Sequence, residues 1–303
     1  MDWTAYYSYW NDFVRQWLKK GTRPWDAISQ AFFDMGAFDF NEMPDPYFGT
    51  PDRGVEAVFL NINPGGSQTG KGKKNLEASK YYSLRGKGAW LLDEFEQNYG
   101  ATYSTYIEDF SCLGDRAKES IGSNNEICGA SWWFGPKRNS GRLAWLNRFY
   151  RNFYKRDIAP NKVVAPEFCP FHSRKASFGV DTLLNAGIPE DWFKDHVITP
   201  AAEAARAAKI PVVGIGQMIY DFLRRLEYSP EQEWNEQSKL SGWPETTYKK
   251  GLEKGQKHPV NRTYSLFEIE GVKFLIVMAP GSNNPPSKEF AKIESTYICP
   301  KLK

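Results

Sequence analysis

Four short apolar runs, separated by helical periodicity, constrain this chain more than any other feature. They lie at residues 55–60, 162–165, 210–215 and 272–278, with helical patterns at 142–154, 201–209 and 217–226 between them. Runs of this length without alternation fit strands buried on both faces. Strands alternating with helices build a mostly parallel sheet covered by helices on both sides. The expected fold is therefore α/β: a three-layer α/β/α sandwich around a central, mostly parallel four-stranded sheet. Ligands on such sheets bind at the carboxyl ends of the strands. Three of the four runs end in chemically specialised loops, which should therefore converge.

Around this frame the expected organisation is one domain, 1–303. Residues 1–50 form an N-terminal helical extension, and 66–141 and 227–264 are insertions. Tyr7, Trp10, Phe13, Val14 and Trp17 recur at helical spacing across 6–20, and a second amphipathic stretch, 26–35, follows Pro24. These stripes read as core. Aromatics make up 16% of the chain, which is compatible with a ring-rich core and with stacking platforms for bases. Connections as long as the two insertions usually serve as lids, binding loops or subdomains.

The net charge is only +3, so the chain carries no polyelectrolyte tail. Basic residues cluster locally at Lys71, Lys73 and Lys74, at Arg148, Arg151, Lys155 and Arg156, and at Lys249, Lys250, Lys254 and Lys257. Such clusters can follow phosphates or simply form solvated faces. Cys112, Cys128, Cys169 and Cys299 contain no C-x-x-C pair, which argues against a zinc or iron–sulfur site. His196 and His258 have no ligand partner at useful spacing, so neither a metal nor a cofactor is expected. Without a signal-like segment or a long apolar run, the expectation is a cytoplasmic protein with reduced thiols and no membrane partner.

The first specialised loop reads Asn61-Ile62-Asn63-Pro64-Gly65, followed by Gly66-Ser67-Gln68-Thr69-Gly70-Lys71-Gly72. Gly65 to Lys71 has the spacing of a phosphate-binding P-loop. Gly72, however, stands where a hydroxyl would ligate magnesium, and no apolar run ends in an Asp for a second metal contact. A Gly-rich surface turn accounts for the same residues. Asn63 in particular is compatible with a turn position.

Asn-Pro-Gly after the first run also resembles the water-positioning loop of uracil-DNA glycosylases, above all of their single-strand-selective monofunctional branch. The resemblance extends to two more strand ends in the expected order. Cys169-Pro170-Phe171 follows the second run, where that branch has Cys-Pro-Leu. Ala279-Pro280-Gly281-Ser282-Asn283-Asn284-Pro285 follows the last, where it has His-Pro-Ser-Pro-Arg-Asn-Pro. About half the chain is covered, excluding the insertions and the N-terminal helices.

The resemblance implies metal-free hydrolysis of an N-glycosidic bond in DNA, with no cofactor, leaving an abasic site. Asn63 would hold the attacking water against C1′ once the base is flipped from the stack. Asn61, Ile62, Pro64, Gly65, Phe168, Phe171 and His172 would line the base pocket, with Phe171 a candidate for stacking. The last loop, from Ala279 and Pro280 through Gly281, Ser282, Asn283 and Asn284, would grip the strand and fill the gap. Lys71 and Lys73 would contact phosphate; a Schiff-base role for Lys71 has no supporting environment. Tyr81, Tyr82, Trp132, Trp133 and Phe134 are further stacking candidates.

Two departures from the family pattern concern the substrate. Glu167 stands where that branch has the Asn that reads uracil, and Ala279 where it has the His that stabilises the departing anion. Cytosine reverses the donor and acceptor of uracil at its Watson–Crick edge. A carboxylate can accept from its amine, and a carboxyl made neutral by burial could donate to N3. A strand-end Glu without such a role fits equally. With Gly281 opening the rim, these substitutions suggest a bulky cytosine derivative. Some superfamily members in phage defence remove glucosylated hydroxymethylcytosine from viral DNA, and this chain looks compatible with modified phage DNA as its partner. Three rivals remain: a uracil-DNA glycosylase, an inactive nucleic-acid-binding protein and a P-loop nucleotidase.

Overall fold

The computed structural model describes residues 1–20, 23–38, 40, 44, 47–48, 51, 54–62, 140–158, 162–171, 173, 179–247, 255–279 and 285–303. The four apolar runs become β2 (Ala57–Leu60), β3 (Val163–Pro166), β4 (Val212–Ile215) and β9 (Val272–Met278). They pair in parallel in the order β3-β2-β4-β9. Every residue of β2, β3 and β4 is buried, as expected of strands covered on both faces.

The sheet is wider than the four strands expected. β1 (Tyr47–Phe48) pairs antiparallel with β3, while β8 (Thr263–Ile269) and β5 (Gln232–Trp234) continue antiparallel beyond β9. Among the described residues the result is a mixed seven-stranded sheet, β1-β3-β2-β4-β9-β8-β5, around a parallel core. The tracts read as an N-terminal extension and an insertion supply edge strands: β1 falls within 1–50, and β5 within 227–264. The rest of the second tract holds a separate hairpin, β6 (Glu245–Thr247) paired with β7 (Lys257–Pro259).

Helices lie on both faces of this sheet. On one, α3 (Ser140–Tyr154) sets Trp145 against Phe59, ring centroids 6.4 Å apart. On the other, α7 (Gln217–Arg225) sets Tyr220 against Phe267, 5.7 Å apart. The strand register carries Phe59 across to Val213 and Leu275, and Phe267 pairs with Phe274. Because successive side chains alternate between faces, Leu275 and Phe274 point to opposite sides, and so do the two helices. Tyr150 on α3 fixes the first layer further: its hydroxyl accepts from the Val58 N–H at 3.3 Å and donates to the Pro211 carbonyl at 2.6 Å.

At the N-terminus, α1 (Trp3–Lys20) and α2 (Ala27–Asp34) form where their stripes predict. Asp26 caps α2 by accepting from the Ser29 N–H, and the Ser29 hydroxyl accepts from the Asp26 N–H, a reciprocal capping box. Trp10, Phe13 and Trp17 are buried, as a core stripe requires. Among the described residues no helix is long and apolar enough to cross a membrane. Further helices among the described residues include α4 (Val180–Asn185), α5 (Glu190–Phe193) and α6 (Thr199–Ala208), and a run of short turns covers 288–301.

Between β4 and α7 the chain turns at Gly216, with φ 130°, while its N–H donates to the Val277 carbonyl at 2.9 Å. A side chain strains this backbone region. Gly216→Ala is expected to lower stability by about 1–3 kcal/mol, read as a fall in the urea midpoint at unchanged m-value.

Candidate functional site

Parallel pairing sends the carboxyl ends of β2, β3, β4 and β9 to one edge of the sheet. The three loops selected from sequence therefore leave the same edge. Two of them meet. The ladder between β2 and β3 continues past the strands, with the Asn61 N–H donating to Pro166, the Phe168 N–H to Asn61 and the Cys169 N–H to Ile62, at 3.1, 3.1 and 2.8 Å. Asn61 and Glu167 become partners in an isolated parallel bridge, so their side chains emerge together on one face.

There the Asn61 amide Nδ2 donates to Glu167 Oε1 at 3.0 Å. Glu167 is 0% exposed and Asn61 5%. An ionisable group held inside a protein is costly unless hydrogen-bonded, and the Asn61 amide supplies one such bond. The sequence selected Asn61 and Glu167 separately, for two different loops, and gave no sign that one would bond to the other. Neighbouring Cys169 is equally buried. Burial first, and then the charge of Glu167, push its thiol well above the usual range, so it is no thiolate nucleophile at neutral pH.

Other expected pocket residues are placed differently. Phe171, proposed above as a stacking surface, is wholly buried and already stacked on Phe40, with centroids 4.1 Å apart and planes at 20°. Phe13, Trp25 and Phe32 surround the same ring. Phe168 packs against Phe222 and Phe193. In this structure both rings are packing residues, and a base would have to displace their neighbours to reach them. The buried stripe of α1, which needs an apolar partner, was the sequence signal for this. Ile62 is buried beside Asn61, and Ala279, half-buried, directly follows β9.

Asn63, Pro64, Gly65, Lys71, Lys73, His172, Pro280, Gly281, Ser282, Asn283 and Asn284 lie outside the described residues, as do the stacking candidates in 66–139. The Gly65–Lys71 segment of the P-loop reading lies there too. Among the described residues, no cluster of three or more His, Cys, Asp or Glu side chains could hold a metal.

Sequence reasoning missed the polar network under the last loop. Glu294, 2% exposed, accepts from Trp145 Nε1 at 3.0 Å, from the Tyr264 hydroxyl at 3.1 Å and from Arg148 Nε at 3.0 Å. Arg148 also donates to the Pro286 carbonyl at 3.2 Å, which ties the chain leaving that loop to α3. No local pattern marks the network, because its members are far apart in sequence.

No family model matches the chain, and no curated protein or solved structure matches it.

Proposed function

We propose that the chain is a monofunctional DNA glycosylase with a three-layer α/β/α core of the uracil-DNA glycosylase type, and that it excises a bulky modified cytosine. The observation that supports this most is the Asn61–Glu167 pair: a carboxylate removed from water and aligned by an amide, at the carboxyl edge of a parallel sheet. A fixed polar group in a water-excluded site recognises a ligand without first reorganising solvent. In the proposed reaction the base flips from the stack, Asn63 aligns a water with C1′, and Glu167 accepts from the exocyclic amine. When protonated, Glu167 passes a proton to the ring and makes the base a better leaving group. The water oxygen bonds to C1′ as the C1′–N1 bond breaks; the electron pair of that bond leaves with the base, which keeps the proton from Glu167, and the proton shed by the water passes to solvent.

The complete burial of Glu167 favours a second reading, in which the pair only ties two strand tips together. Activity separates the two. Duplex and single-stranded DNA containing uracil, hydroxymethylcytosine or its glucosylated form should be incubated with the full chain and tested for alkali-labile abasic sites. Cleavage is expected at the modified cytosines and is expected to disappear in Asn63→Ala. A preference for uracil would remove the role given to Glu167. Absence of abasic sites on every substrate would leave only the structural reading.

A further inference from the structure

The β6–β7 hairpin reaches the same edge of the sheet as the Asn61–Glu167 pair. Thr263, the first residue of β8, pairs with Met278, the last of β9, so β8 starts where the parallel strands end. The hairpin finishes at Pro259, immediately before that start. Its strands are exposed at every position except His258, which is half-buried. It is an arm, not a layer of the core.

Its root is firmly held. Trp243 Nε1 donates to the Val260 carbonyl at 2.9 Å, and the Val260 N–H donates to the Pro244 carbonyl at 2.8 Å. Buried Phe290 then joins this root to the turn that leaves the last loop. Trp243 meets its ring edge-on at 5.5 Å, the Arg262 guanidinium lies 5.4 Å from its centroid, and Tyr264 packs beside it at 6.0 Å. Hairpin and C-terminal turn thus form one support next to the candidate site.

Three lysines on this support face solvent, beside two exposed carboxylates, Glu245 on the arm and Glu289 on the turn. Lys257 on the arm and Lys288 and Lys292 on the turn are exposed, and the side chain of Lys292 lies across Gly242 at the root. None of the three ammonium groups is in an ion pair among the described residues, a state they share with exposed Lys155, Lys209 and Lys239, while Lys273 is held by Glu231 and Glu268.

We infer that the β6–β7 hairpin and the Lys288–Lys292 turn form a cationic clamp for DNA backbone phosphates flanking the base held at the sheet edge. The assignment of the base rests on the proposed function; the clamp itself predicts phosphate binding on any DNA. Exposed ammonium groups without a carboxylate partner release condensed counterions when they meet phosphates, and this sets the salt dependence of affinity.

The test is binding of unmodified duplex DNA to the full chain across a salt series, comparing wild type with the Lys257→Gln, Lys288→Gln, Lys292→Gln triple variant. Gln keeps most of each side chain's length, so melting temperature should not change. The slope of log affinity against log salt is expected to become shallower by roughly 2–3 units, while Lys209→Gln, at the amino ends of the strands, leaves it unchanged. An unchanged slope in a triple variant of normal melting temperature overturns the clamp, even if abasic sites are formed. A reduced slope with no abasic sites on any substrate keeps the clamp and removes the glycosylase. Binding to anionic lipid vesicles in preference to DNA overturns the assignment to nucleic acid.

Discussion

Glu167→Gln is expected to fold as the wild type does and to lose roughly 10²- to 10⁴-fold of its activity on a modified cytosine. The substitution is informative because it separates holding from reacting. Gln retains a carbonyl oxygen that can accept from Asn61 Nδ2, the bond seen at 3.0 Å, so the tie between the tips of β2 and β3 survives. What it loses is the charge and the titrating proton. Its amide also offers a donor where the carboxylate offers only acceptors, and this favours the O4 carbonyl of uracil over the C4 amine of cytosine. The ratio of uracil to cytosine-derivative activity should therefore rise. Glu167→Ala serves as the contrast. It removes the acceptor of the Asn61 amide and is expected to cost about 1–3 kcal/mol in stability as well. The measurements are single-turnover rates on both substrates and melting temperatures of both variants. Wild-type rates in Glu167→Gln would reduce the pair to a structural bond.

The largest effect on stability is expected at Glu294→Ala. Three donors from two elements converge on this carboxylate: Trp145 and Arg148 of α3, and Tyr264 of β8. Burial first, and then the charge of Glu294, hold the Tyr264 hydroxyl well above its ordinary range, so Tyr264 remains a donor at all physiological pH. Removing the acceptor leaves a guanidinium, an indole N–H and a phenol without their partner. Breaking a buried charged pair from one side typically costs about 3–5 kcal/mol, which for a chain of this size lowers the melting temperature by on the order of 10 °C. Glu294→Gln keeps one acceptor and should fall between. Because Arg148 also holds the Pro286 carbonyl, the loss should reach the exit of the last loop. A melting temperature within about 2 °C of wild type would show that the network contributes little to stability.

The parallel core is readable because each of its strands lies in a short, mostly apolar run, broken in β9 only by Lys273. Strands β5 and β8 are not. Gln232-Glu233-Trp234 buries only its Trp, and three residues are too few for a period to appear. Thr263 to Ile269 sits directly after a charged tract and was not separated from it. At the site, Asn61 and Glu167 could be selected by position, since each follows a strand. Their hydrogen bond could not, because it depends on the register between β2 and β3. Phe168 and Phe171 show the opposite failure. A ring at a strand tip can point towards a ligand or back into the core, and only the packing of Phe40, Phe13 and Phe222 decides which.

Among the described residues, the two outermost strands of the main sheet, β1 and β5, contain two and three residues. A long, bare sheet edge is a template on which a second chain can add a strand, the first step of many fibrils. Here the flank beyond β8 ends in the three-residue β5, and Glu233 places a charge on it. The protein should therefore resist edge-to-edge self-association at high concentration despite its many apolar strands. Removing residues 47–48 would uncover β3, whose four residues are all apolar, and create the hazard that the native chain avoids.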